Sequence, residues 1–256
     1  MLLHHEISGS GEPLVMLHGL FGSFENLGAI ARQLAEHFTL YRLDLRNHGK
    51  SGHSDKMTFD LMARDVLETL DELGISKAHF FGHSLGGKVA MVIALNNPER
   101  VEKLVVADIA PVTYAPHHNE ILQGLQSIDA SSLTSRKEAD EKLQAYITSL
   151  PVRQFILKNL TRSETGGFKW RINVAAITAQ YDQLRLSVGD NQVYNGPALF
   201  LRGAQSDYIT DEMFSEIHRK FSDAEIITVD NASHWLHAEQ PSIVASAVIV
   251  FLQTTN

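Results

Sequence analysis

Short apolar runs alternate along this chain with stretches of helical periodicity. Pro13-Leu14-Val15-Met16-Leu17 ends at His18-Gly19 and predicts a strand that opens into a loop. Leu27, Ile30, Ala31 and Leu34 then recur at the spacing of one helix face. Phe38-Thr39-Leu40-Tyr41-Arg42-Leu43 predicts the next strand, closed by the polar run Asp44-Leu45-Arg46-Asn47-His48-Gly49-Lys50-Ser51-Gly52. Leu61, Ala63, Val66, Leu67, Leu70 and Leu73 mark a second helix, with Gly74 placed to end it. Ala78-His79-Phe80-Phe81 reads as a short buried strand, and residues 87–95 as a helix of alanine and aliphatic side chains. Further strands are predicted at Val101–Ala107, Pro197-Ala198-Leu199-Phe200-Leu201 and Glu225-Ile226-Ile227-Thr228-Val229, and further helices at residues 210–221 and 242–252. Such alternation specifies an α/β fold whose mostly parallel central sheet is flanked by helices on both faces.

Between residues 111 and 196 the alternation stops. Ile121, Leu122 and Leu125, then Ala139, Leu143, Ile147 and Leu150, then Phe155, Ile156 and Leu160 form separate apolar stripes, with no convincing strand among them. The expectation is a core built from residues 1–110 and 197–256, with 111–196 inserted as a helical cap above the strand ends.

Composition narrows the chemistry. A chain of 256 residues with 44% hydrophobic and 20% charged residues buries a sizeable core. Its net charge of -8 offers no basic surface for nucleic acid or an acidic membrane. The absence of cysteine removes disulfides, thiol nucleophiles and cysteine-bound zinc, and suits a reducing compartment. The start, Met1-Leu2-Leu3-His4-His5-Glu6, carries no signal-peptide pattern, and no apolar run is long enough to span a bilayer, so a cytoplasmic location is expected. His4-His5 and His117-His118 lack carboxylates at metal-binding spacing and read as surface or pocket residues, and no metal and no cofactor is expected. No pattern bears on oligomeric state.

Gly82-His83-Ser84-Leu85-Gly86 stands between a predicted strand and a predicted helix. In that context it reads as a strained turn presenting Ser84 as a nucleophile, its flanking glycines sparing a steric collision. A serine hydroxyl needs a base. Among the thirteen histidines, His234 is favoured, because Asn231-Ala232-Ser233-His234-Trp235 links the last strand to the last helix. His237 is read as structural, His83 as pointing elsewhere on the turn, and His18 and His48 as loop residues near the mouth. Two carboxylates compete to orient the base. Asp108 ends a core strand at the edge where catalytic groups gather, while Asp207 lies in the loop Arg202-Gly203-Ala204-Gln205-Ser206-Asp207 and could instead cap a helix. Ser206 is an auxiliary hydroxyl near His234. The backbone N–H groups of Leu85 and Leu20 are the expected oxyanion donors. Phe21 and Trp235 are expected at the pocket, with Tyr114, Phe168, Trp170 and Tyr181 contributed by the cap.

Together these motifs resemble the α/β-hydrolase fold superfamily, in His18-Gly19, Asp44-x-Arg46-x-His48-Gly49-x-Ser51, Gly82-x-Ser84-x-Gly86 and the Ser233-His234 loop. More narrowly, His18-Gly19-Leu20-Phe21-Gly22-Ser23, Asp44-Leu45-Arg46-Asn47-His48-Gly49 and Asp108-Ile109-Ala110-Pro111-Val112 look like YbfF-type bacterial esterases and their ABHD11-like eukaryotic relatives. The likeness runs nearly end to end. It implies an α/β-hydrolase fold and a serine hydrolase that cleaves small carboxylic esters or acyl-thioesters, acyl-CoA among them, through an acyl-enzyme on Ser84. It also supports Asp108, because the usual acid position, three residues after the loop glycine, holds Ser206 when counted from Gly203. Asp207 falls one residue late. A carbon–carbon bond hydrolase using the same residues, and a non-catalytic small-molecule receptor of the same fold, are the alternatives.

Overall fold

The computed structural model describes residues 1–164, 166–189 and 191–254. In chain order the elements are β1 (His5–Gly9), β2 (Glu12–Leu17), α1 (Gly28–Leu34), β3 (Phe38–Leu43), α2 (Phe59–Glu72), β4 (Ala78–His83), α3 (Leu85–Asn96) and β5 (Val101–Ala107). An insert follows, with α4 (Asn119–Gln126), α5 (Arg136–Leu143), α6 (Leu150–Leu157), β6 (Leu160–Arg162), β7 (Phe168–Trp170) and α7 (Val174–Leu184). The chain closes with β8 (Tyr194–Gly203), α8 (Phe214–Lys220), β9 (Phe221–Val229), α9 (Leu236–Glu239) and α10 (Pro241–Gln253).

Seven strands form one sheet in the order β1-β3-β2-β4-β5-β8-β9. Every pairing is parallel except that of β1 with β3. Alternating side chains supply both faces. Val15, Leu17, Phe80 and Val106 pack with α2 and α3 on one side. Leu14, Met16, Phe81 and Val105 pack with α1 and α10 on the other. Burying each such side chain stabilises the fold by about 1.5–3 kcal/mol.

The parallel register is what assembles the functional edge. Leu17 pairs with Gly82, His83 with Ala107, Ala107 with Leu201, and Gly203 with Val229. The loops leaving β2, β4, β5, β8 and β9 therefore emerge side by side, at the strand ends where ligands bind in open α/β sheets.

The insert departs from expectation in one respect. It is not purely helical, because β6 and β7 pair as a two-stranded antiparallel ribbon, Leu160 opposite Trp170. Leu160 and Phe168 are buried there, and the Arg162 guanidinium lies 4.3 Å from the Phe168 ring centre. Two buried lysines fasten the neck of the insert to the core. Lys88 of α3 donates to the carbonyls of Val112 (2.7 Å), Arg185 (3.4 Å) and Leu186. Lys220 of α8 donates to those of Val188 (2.5 Å) and Pro111 (3.4 Å). No helix among the described residues is long and apolar enough to cross a membrane.

Candidate active site

Ser84 sits between β4 and α3 at φ +52° and ψ −116°, a conformation that costs a non-glycine residue about 1–3 kcal/mol. The surroundings impose it. A Cβ on Gly82 would stand 2.3 Å from the Gly86 carbonyl oxygen, and one on Gly86 would stand 2.4 Å from that of Leu17. Only glycine lets the strand turn straight into the helix. The turn is pinned by Ser84 N–H to the Ala107 carbonyl and Gly86 N–H to that of His18, each 3.0 Å.

His234 comes to this serine from the loop after β9. Its Nε2 lies 3.1 Å from Ser84 Oγ, and its Nδ1 lies 2.7 Å from Asp108 Oδ2. The Nδ1–H donates to the carboxylate, which leaves Nε2 to accept the serine proton. Asp108, fully buried, turns off the end of β5 at φ +53°. Its Oδ1 accepts the Gly203 N–H at 2.9 Å, and its Oδ2 also accepts the Ser206 hydroxyl. Of the two competing carboxylates, the one against His234 is therefore Asp108, while Asp207 is exposed. The Tyr208 ring stacks on His234 at 3.8 Å between centres.

Three other histidines hold the surrounding loops. His83 does not point away from the site. It donates from Nε2 to the His234 carbonyl at 2.8 Å, bracing that loop against β4, and its ring lies 4.2 Å from that of His237. His18 and His48, read as residues of loops near the mouth, are themselves fully buried, while Gly19, Leu20 and Phe21 beside His18 line a cavity next to Ser84. His18 donates from Nδ1 to the Gly19 carbonyl and accepts the Leu45 N–H at Nε2, at 2.8 and 3.0 Å. His48 donates from Nδ1 to the Arg46 carbonyl and accepts the Phe21 N–H at Nε2, at 2.9 and 3.2 Å. Each ring needs one bare nitrogen, so both are neutral. Burial pulls His18 down to about 4 and His48 to about 3. These rings lock the loop after β2, where Phe21 N–H is committed to His48 and Gly22 N–H to the Gly19 carbonyl.

Two cavities flank Ser84. The larger, about 420 Å³, is lined by Phe21, Ile121, Val152, Phe155 and Trp235 among others. A smaller one of about 40 Å³ is bounded by Leu20, Leu85, Tyr114, Tyr181 and Tyr208. Of the expected pocket residues, Phe21 and Trp235 line the large cavity, and Tyr114 and Tyr181 the small one. The Tyr114 hydroxyl is already occupied, accepting the Ala110 N–H at 2.7 Å and donating to the Tyr208 carbonyl at 2.5 Å. Trp170 lines neither cavity, because it belongs to the β6–β7 ribbon, and Phe168 is buried in the insert.

Residues 12–241 match the family described as alpha/beta hydrolase fold. The chain belongs to that family. This hydrolase is 40% identical over 253 residues to the sn-1-specific diacylglycerol lipase ABHD11 of Danio rerio, a match covering 96% of this chain and 80% of the relative. It is 35% identical over 246 residues to esterase YbfF of Escherichia coli, covering 95% and 94%. A solved structure of a marine microorganism esterase, 40% identical, matches it with a TM-score of 0.95 over 98% of this chain and 99% of that one. The resemblance read from the motifs is thus shown, and the chain is an enzyme of the esterase and lipase type. The His117-His118 doublet was read as surface or pocket residues, and His118 lines both cavities, whereas Tyr208 and the brace made by His83 carried no motif or spacing signal of their own. They come to the site of this hydrolase only through its tertiary structure.

Proposed function

We propose that this hydrolase cleaves carboxylic esters and acyl-thioesters by two-step acyl transfer through Ser84. The observation that carries the reading is the unbroken chain from Ser84 Oγ through His234 to buried Asp108, at 3.1 and 2.7 Å. Ser84 attacks the carbonyl carbon while His234 Nε2 takes its proton, and Asp108 holds the imidazole and offsets its charge. The carbonyl oxygen, as it becomes an oxyanion, is met by the N–H groups of Leu85 and Leu20. The Leu85 amide lies in the first turn of α3, where no intrahelical acceptor exists. His234 then protonates the departing alcohol or thiol, and water attacks the acyl-enzyme with His234 again as base.

The large cavity, mostly apolar and lined in part by residues of the cap at 111–196, suits an uncharged acyl or alcohol group. The net charge of -8 disfavours a nucleic-acid substrate. The test is labelling by a fluorophosphonate, together with hydrolysis of a panel of acyl esters and acyl-thioesters. Folded protein is expected to label and heat-denatured protein not to, and Ser84→Ala is expected to lose activity by about 10⁴-fold or more. Folded protein that neither labels nor cleaves any member of the panel would return the receptor reading.

A further inference from the structure

The two cavities beside Ser84 share Leu20, Ser84 and His118 as lining residues. An ester bound with its carbonyl carbon at Ser84 and one arm toward each cavity would have its oxygens close to these three residues. Two of the three have work in the proposed acyl transfer, on which the present inference rests. His118, carried by the insert at the start of α4, has none.

Both the backbone N–H of His118, at 3.0 Å, and its Nδ1, at 2.9 Å, meet the Tyr181 hydroxyl. That hydroxyl accepts the amide and has one proton to give. Given to Nδ1, it puts the ring proton on Nε2, the tautomer on which the assignment below depends. Nε2 has no hydrogen-bond partner among the described residues. The ring is held from two sides, edge-on to Tyr181 at 5.7 Å and to Phe21 at 5.8 Å. We propose that His118 is a specificity-determining residue, donating from Nε2 to the bridging oxygen of the bound ester while the Leu20 and Leu85 amides hold the carbonyl oxygen.

The state of the ring suits this use. Burial and the neighbouring His234 and His117 pull His118 down to about 4, so it stays neutral while His234 gains a proton. A second imidazolium beside the first would oppose that step. A neutral donor steadies the departing oxygen without that repulsion.

The bridging atom supplies the test, because a thioester sulfur is a weak acceptor. We compare kcat/KM for phenyl butyrate and S-phenyl thiobutyrate, each relative to wild type. His118→Phe keeps a ring and removes the donor, and is expected to lower the oxygen ester about ten-fold and the thioester less than three-fold, in line with one hydrogen bond of about 1–1.5 kcal/mol. His118→Gln, whose amide reaches the place of Nε2, is expected to stay within about three-fold of wild type on both. His118→Asn meets Tyr181 but stops short of that place, and replaces the phenylalanine variant should the latter not fold. Equal losses on the two substrates, or an undiminished rate on the oxygen ester, overturn the assignment. Wild-type protein inactive on both substrates would instead overturn the acyl-transfer reading.

Discussion

Asp108 accepts hydrogen bonds from His234, Ser206 and the Gly203 amide while fully buried, a set of donors that keeps a carboxylate fixed in one orientation. Asp108→Asn replaces an acceptor by an amide that cannot take the His234 Nδ1 proton in the same way, so the imidazole presents the wrong tautomer to Ser84. A loss in kcat of about 10³ to 10⁴-fold is expected. Asp207→Asn, at an exposed position, is expected to stay within about two-fold of wild type. Steady-state kinetics on one ester decide between them, and the opposite order would return Asp207 as the orienting acid. Ser206→Ala removes one donor to the buried carboxylate. A fall in kcat/KM of about ten-fold is expected, as for one lost hydrogen bond to a charged group.

At the scale of elements, the parallel strands were legible because they are buried on both faces. All six residues of β4 are buried, and so are four of the six in β2. β1 was not legible: His5-Glu6-Ile7-Ser8-Gly9 lies at the sheet edge with no residue fully buried, Ile7 and Gly9 being exposed, and its pattern favours neither face. The three-residue strands β6 and β7 are too short to show a period of two. The convergence of Ser84, Asp108 and His234, at 3.1 and 2.7 Å, could be expected because strand ends mark where loops gather. The buried histidines were not legible, since nothing local tells a core imidazole from an exposed one. Nor was the neck of the insert, which depends on Lys88 meeting carbonyls about 24 and 97 residues away in the chain. Lys88→Met fills similar space but leaves the Val112, Arg185 and Leu186 carbonyls without that donor. We expect a loss of about 2–4 kcal/mol, read in thermal melts as a fall in Tm of about 5–15 °C. An unchanged Tm would show that the neck does not depend on this amine.

The whole molecule is expected to be acid-labile for a reason visible in its histidines. Burial holds His18 down to about 4, and His48 and His237 to about 3, with His83 shifted the same way by burial and by its neighbours His237 and His234. In the unfolded chain each titrates near the usual 6.5. Between about pH 6.5 and pH 4 the unfolded chain therefore binds protons that the folded one refuses, so stability falls as the pH falls. pH 5 lies about 1.5 units below the unfolded midpoint of each ring, which amounts to about 2 kcal/mol at 1.36 kcal/mol per unit. Three rings amount to about 6 kcal/mol, and His83 adds to that, against a total stability of order 5–15 kcal/mol. Urea unfolding followed by circular dichroism at pH 7, 6 and 5 is expected to show most of this loss below pH 6.5, taken up as several protons rather than one. His48→Gln, whose amide can still accept the Phe21 N–H, is expected to be less stable at pH 7 but to lose about 2 kcal/mol less between pH 7 and pH 5. An unfolding free energy that stays level from pH 7 to pH 5 in the wild type would mean that these rings are not held neutral, and that the loops bearing Leu20 and His234 are braced by something other than their uncharged imidazoles.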